Sequence, residues 1–305
     1  MVKRDILSVL DMRNDLERIV DLGLQFKRSR YSEIPSMKNR VLGMIFEKPS
    51  TRTRISLETA MVQMGGHAIY LNPNDMQMGR GETIEDTARV LSGFLDAISY
   101  RAFSHQNVAR LARYAKVPVI NALDDEEHPL QIVADLMTIK EHFGYLRGLN
   151  FTYVGDGNNM ANSLLLGMAI TGVNITVATP KGYEPGEFYV KKATEISHET
   201  GSRVSITNDP VSAVKDADVV YTDVWVSMGQ EKEREEKEAK FREFQVNEKL
   251  VSNARRDFIF MHCLPAHRGL EVTDGVADSI NSVIFQQAEN RLHSAKAVLY
   301  TLIGF

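Results

Sequence analysis

The chain has 305 residues, 43% hydrophobic and 25% charged, with 36 basic against 40 acidic side chains and a formal net charge of −4. That length suits two domains of about 150 residues; no apolar run approaches the roughly 20 residues of a membrane span, and no global positive field exists to hold nucleic acid or an anionic membrane. The single cysteine, Cys263, excludes an intrachain disulfide and any multi-cysteine metal site.

Met1-Val2-Lys3-Arg4-Asp5 runs directly into an amphipathic pattern at Ile6 and Leu10, without an apolar signal core or an Arg/Ser-rich transit segment. A cytoplasmic protein is expected. Val41-Leu42-Gly43-Met44-Ile45-Phe46 then reads as a buried parallel strand. Leu57, Ala60, Met61 and Met64 follow at helical spacing, and that stripe stops at Gly65-Gly66. Glu47-Lys48-Pro49-Ser50-Thr51-Arg52-Thr53-Arg54 is therefore a strand-to-helix turn. The outward N–H groups and positive dipole end of a helix start, joined by three hydroxyls and two guanidiniums, make a seat for an anion, foremost phosphate. Capping would account for Ser50 and Thr51 alone, but not for that density of arginine and hydroxyl.

Further strands are expected at 67–71, 97–100 and 117–121, with helices at 53–64, 84–95, 104–115 and 129–143; Thr83-Ile84-Glu85-Asp86 opens the second of these helices as a capping box. From Asn150 a second series begins, with strands at 151–154, 173–178, 203–207, 218–222 and 257–261, the first followed by a helix carrying Leu164, Leu165, Met168 and Ala169. Repeated strand–helix units imply α/β architecture with parallel sheets. The expectation is two doubly wound parallel-sheet domains joined by helices, residues 1–140 and 141–284, with a last helix at 285–305 packing back on the first. Between Gly229 and Glu243 almost every side chain is charged, which reads as a solvated helix face held by i,i+4 pairs. Its place just after Ser227-Met228-Gly229 suggests a segment that moves over a ligand.

In open parallel sheets ligands bind beyond the carboxyl ends of the strands. Ser50 to Arg54, Arg101, His128, Asn159, Asp223 and Cys263 all fall at such ends, which points to one cleft between the domains. Singly, each has a structural alternative. His128 could cap a helix with Pro129 at its first position, Asp223 could cap another, and Cys263 could be a small buried hydrophobe. Gly155-Asp156-Gly157 lacks the third glycine and acidic ribose ligand of a dinucleotide loop. His262 and His267 flank Cys263, but without a second thiol or a recognisable metal spacing no metal site is expected.

With Ser50-Thr51-Arg52-Thr53-Arg54, His128-Pro129-Leu130-Gln131, Asp223-Val224-Trp225-Val226-Ser227-Met228-Gly229 and His262-Cys263-Leu264-Pro265 in that order, the sequence resembles the ornithine carbamoyltransferases over essentially its whole length. The resemblance implies transfer of the carbamoyl group from carbamoyl phosphate to the δ-amine of L-ornithine, with no metal or organic cofactor. It further implies that Ser50, Thr51, Arg52 and Thr53 hold the phosphate, that Arg101 and His128 contact the carbonyl oxygen, and that Gln131 meets the amino group. Asn159, Asp223, Ser227 and Met228 would hold ornithine. Cys263, Leu264 and Arg291 would line the reacting centre, with Asp223 and Cys263 both candidates for the δ-amine proton. Gln77 would reach a neighbouring site in a homotrimer or a multiple of trimers. A putrescine carbamoyltransferase would share the phosphate seat, and an NAD-dependent dehydrogenase using the Gly155 turn is the alternative from another class.

Overall fold

A computed structural model of the chain describes residues 3–29, 36–226 and 234–304. It divides into two compact units, Met1–Met137 with Glu289–Phe305, and Thr138–Ala288. In chain order, the first unit contains α1 (Leu16–Arg28), β1 (Val41–Phe46), α2 (Arg52–Gln63), β2 (His67–Leu71), α3 (Ile84–Leu91), β3 (Ala97–Arg101), α4 (His105–Tyr114) and β4 (Val119–Asn121). The chain passes into the second unit within α5 (Pro129–Phe143). There follow β5 (Asn150–Val154), α6 (Asn159–Ile170), β6 (Asn174–Ala178), α7 (Glu187–Thr200), β7 (Val204–Thr207), α8 (Pro210–Val214), β8 (Val219–Thr222), α9 (Arg234–Phe241), α10 (Glu248–Val251), β9 (Ile259–His262) and α11 (Asp274–Ala277). The later part of α12 (Ile284–Ile303) belongs to the first unit again.

Both sheets are wholly parallel. The first has the order β2-β1-β3-β4, the second β7-β6-β5-β8-β9. This is the doubly wound arrangement expected from the sequence. Each sheet has one place where neighbouring strands send their connections to opposite faces: between β1 and β3 in the first, between β5 and β8 in the second. Loops leaving the carboxyl ends of such a pair part and leave a crevice, which is where open α/β sheets bind ligands. The turns Glu47–Thr51 and Ala102–Ser104 flank the first crevice, Gly155–Asn158 and Asp223 onward the second.

Packing follows the apolar pattern. Leu57, Ala60, Met61 and Met64 are fully buried, so the stripe that predicts α2 is the stripe it buries. Helix α6 is buried from Met160 through Ala169, as an almost wholly apolar helix must be. Expected and observed boundaries differ where local chemistry intervenes. β4 begins at Val119 because Pro118 has no N–H for the ladder, although its carbonyl accepts from Ile98. α3 stops at Leu91, short of the expected 95, before Gly93. α1, with Leu16, Ile19, Val20, Gly23 and Phe26 buried, is an element the sequence reading did not delimit.

One reading is corrected. The charged stretch is helical from Arg234, and Glu236–Lys240 pair at 2.6 Å as expected, but Lys237 is not part of a solvated face. It is 3% exposed and its ammonium lies 2.6 Å from the buried Asp156 carboxylate. Sequence spacing alone offers it Glu233 at i−4, whereas the tertiary packing of α9 supplies Asp156. Glu238 pairs with Arg234 at 2.7 Å. Ser227, Met228 and the rest of 227–233 lie outside the described residues.

Candidate active site

In the first unit the groups assemble at the start of α2. Thr51 stands at the N-cap with αR backbone angles and makes no side-chain cap bond. The first N–H groups of α2 therefore keep their capacity to bind an anion. Ser50 is half-buried and Thr51 exposed, while Thr53 is 2% exposed and its Oγ1 accepts from Arg291 Nη2 at 2.9 Å. Arg291, on α12, also donates to Gln131 Oε1, and Gln131 Nε2 donates to Asp135 Oδ1 at 2.8 Å. Arg291 thus joins two residues far apart in sequence, and Gln131 is held at both ends.

Arg101 ends β3 and is 6% exposed; His128 precedes Pro129, the first residue of α5, and is 4% exposed. Burial, then the guanidiniums of Arg291, Arg101 and Arg52, push the His128 imidazole well below its ordinary pKa. It is therefore neutral at pH 7 and can donate one hydrogen bond without adding a fourth positive charge. Lys48 also belongs here, a residue the sequence reading passed over within its own octapeptide. It is buried, stands 5.0 Å from the Phe103 ring centroid, and its pKa is lowered by burial and then by Arg101.

Two further residues of this unit lie apart from this group. Arg54 lies 3.8 Å over the Tyr70 ring and 3.8 Å from Glu58 on the outer face of α2. Gln77 is exposed in a short 3-10 turn, Gln77–Arg80, with no side-chain hydrogen bond to the cluster among the described residues.

The second unit brings Asp223 and Cys263 together. Asp223 follows β8 and Cys263 follows β9; Cys263 Sγ donates to Asp223 Oδ1 at 3.0 Å. The second carboxylate oxygen accepts from Asn158 Nδ2 at 3.1 Å. Asn158 was not singled out in the sequence, yet its side chain also caps α6 by accepting from Met160 and Ala161. Asparagine just before a helical run is the signal that could have found it. Asn159 is the first residue of α6. Gly157 permits this turn to exist: a Cβ there would stand 2.3 Å from Pro185 N and 2.4 Å from Tyr183 O. Leu264 adopts φ +59, and its N–H donates to His262 Nδ1 at 2.8 Å.

Asp223, His262 and Cys263 present donor atoms within 4.8 Å of one another, a spacing open to a metal ion. The hydrogen bonds oppose it. His262 Nδ1 accepts from Leu264, so its proton is on Nε2, which faces Glu271 Oε1 at 3.3 Å. Both ring nitrogens are engaged and no imidazole lone pair remains for a ligand bond.

The amino-terminal part, residues 4–141, matches the family model described as the aspartate/ornithine carbamoyltransferase carbamoyl-P binding domain, and residues 147–302 match the Asp/Orn binding domain of the same family. A catabolic ornithine carbamoyltransferase of Thermoplasma acidophilum is 67% identical over 305 residues, covering 100% of both chains. An anabolic ornithine carbamoyltransferase of Pyrococcus furiosus is 53% identical, over 99% of this chain and 96% of its own. The solved structure of the ornithine carbamoyltransferase from Pyrococcus furiosus superposes with a TM-score of 0.96 at 52% identity, covering 99% of this chain and 98% of that one.

Proposed function

The chain belongs to the aspartate/ornithine carbamoyltransferase family, and from that premise we propose that it transfers the carbamoyl group of carbamoyl phosphate to the δ-amine of L-ornithine, giving L-citrulline and phosphate. The observation that carries the donor half is the start of α2, left uncapped by Thr51 and accompanied by Arg52, Arg101, a neutral His128 and Arg291. The whole-length identity to ornithine carbamoyltransferases carries the choice of acceptor.

In this reading the α2 N–H groups, Ser50, Thr51, Arg52 and Thr53 hold the phosphate, and Arg101 and His128 donate to the carbonyl oxygen. Attack by the neutral δ-amine puts negative charge on that oxygen, and one preorganised donor there is typically worth about 3–4 kcal/mol. The C–O bond to phosphate then breaks as the proton given up by the attacking nitrogen passes to the departing oxygen, so phosphate leaves as the hydrogen phosphate dianion into the positive field of the arginines. Gln131 Oε1 accepts from the carbamoyl NH2, with Arg291 holding it. Asp223, kept in place by Cys263 and Asn158, receives the cationic end of ornithine beside Asn159, Ser227 and Met228. Cys263 and the Leu264 backbone line the reacting carbon. No step calls on a metal or organic cofactor.

Residues 1–140 with the helix at 285–305 are assigned to carbamoyl phosphate and 141–284 to ornithine. The active form is a homotrimer or a multiple of it, with Gln77 serving a neighbouring site; its exposure supports that role, and a monomer in sedimentation would count against it. A cytoplasmic location is part of the same proposal. Among the described residues no helix is long and apolar enough to cross a membrane. The test is a citrulline assay on purified protein with ornithine and, separately, putrescine as acceptor. Citrulline formed from ornithine with the larger specificity constant supports the reading, and absence of product overturns it.

A further inference from the structure

We infer that Lys237, through its buried ion pair with Asp156, is a positioning residue for the turn Asp156-Gly157-Asn158-Asn159 and so for the ornithine-side group Asn158, Asp223 and Cys263. The inference rests on the carbamoyl-transfer reading for the identity of that substrate. α9 is polar, and only Lys237 and Phe241 of its residues are buried. Phe241 sits 5.0 Å from the Tyr183 ring and 5.8 Å from that of Trp225, which seats the helix. Lys237 enters beside it, 5.6 Å from the Tyr183 centroid, and reaches Asp156 Oδ2 at 2.6 Å with 4% and 9% side-chain exposure.

Asp156 is an anchor of the turn. Its carbonyl accepts from the Tyr153 hydroxyl at 2.9 Å and from Asn158 N at 2.7 Å, while Gly157 N donates to Tyr183 O at 2.9 Å. From there Asn158 reaches Asp223, and Asp223 reaches Cys263. Two buried carboxylates thus lie in one small region, Asp156 and Asp223 at 6% exposure each. Lys237 neutralises the first, which leaves Asp223 as the carboxylate available to a cationic substrate. A buried carboxylate that loses its ammonium must take up a proton or draw on other donors, and either change acts on the residue whose carbonyl anchors the turn. Losing the ammonium should therefore be felt by ornithine and not by carbamoyl phosphate.

The experiment is steady-state kinetics on the full chain, wild type first, then Lys237→Met and Lys237→Arg, with carbamoyl phosphate affinity followed by calorimetry. Expected for Lys237→Met is a rise of about tenfold or more in KM for ornithine, with KM for carbamoyl phosphate within about twofold and kcat within about threefold; Lys237→Arg, which keeps the charge, should recover most of the ornithine affinity. If Lys237→Met does not fold, Lys237→Gln, which keeps a donor of similar length without the charge, should show the same ornithine-specific rise. Wild-type KM for ornithine in a folded variant with no cation at position 237, both substrates weakened alike, or no recovery with arginine would each overturn the inference while leaving the transfer reading intact. A wild-type protein that makes no citrulline would end both.

Discussion

Arg52 and Arg54 stand two positions apart in one octapeptide and meet different fates. The Arg52 guanidinium acts on the buried His128, whereas Arg54 stacks on Tyr70 and leans toward Glu58 at the surface. A helical rotation of roughly 200° between them sends one inward and the other outward. Arg52→Met should weaken carbamoyl phosphate binding by about a hundredfold, the loss of charge-assisted hydrogen bonds worth roughly 3 kcal/mol, with little change in melting temperature. Arg54→Met should change binding by less than about threefold, as suits an exposed contact. Calorimetric titration of both variants checks this; equal effects would mean that the two arginines share one ligand.

At the scale of elements, α2 and α3 start with the same residue type and use it differently. Thr83 caps α3 by accepting from Asp86 N at 3.1 Å, while Thr51 makes no such bond. Removing a working cap costs about 1 kcal/mol, and removing an idle one costs almost nothing. Thr83→Ala should therefore lower stability in urea unfolding by about that amount, and Thr51→Ala by less than about 0.5 kcal/mol while weakening carbamoyl phosphate binding. Comparable losses of stability would return Thr51 to a capping role. The nine strands among the described residues all lie where the sequence predicts them, and inner ones such as β1 and β8 are near-continuous apolar runs because a strand buried on both faces has little other composition open to it. α9 shows the limit of such reading. Its i,i+4 charge pattern was legible, but a helix pattern cannot show that one lysine of the set is swallowed by a carboxylate 81 positions away.

At the scale of the molecule, a network in the first unit links the N-terminal segment to the turn before His128. Asn121 Nδ2 donates to Leu7 O and to Asp124 Oδ2, Val9 N donates to the Glu127 carboxylate, and His105 Nδ1 lies 2.7 Å from Asp124. Asp124 raises the His105 pKa from 6.5 to about 9, and burial raises that of Glu127 from 4.5 to about 7. For His105 the folded state holds its proton more tightly than the unfolded chain, so its stabilisation is full below pH 6.5 and is lost as pH rises through 9. Glu127 has the same sign at lower pH, its share declining between 4.5 and 7. His128, with a lowered pKa, acts oppositely below 6.5 and is silent above it. Between pH 7 and 9 the melting temperature should thus fall, and His105→Gln should flatten that slope. Parallel wild-type and variant profiles in differential scanning calorimetry would show that His105 makes no such contribution.

What the sequence determined by itself is everything that repeats or sits next to itself: nine strand segments, the α2 stripe, the strand-to-helix turn at 47–54, and motifs whose order resembles one enzyme family. These are local because periodicity and helix-start chemistry need only neighbouring residues. Tertiary structure alone decided which polar groups meet. Arg291 reaches Thr53 across 238 positions, Cys263 reaches Asp223 across 40, Asn158 bonds Asp223 across 65, and Lys237 turns inward to Asp156. Such pairings depend on strand order, and the orders β2-β1-β3-β4 and β7-β6-β5-β8-β9 bring together loops that the chain itself keeps far apart.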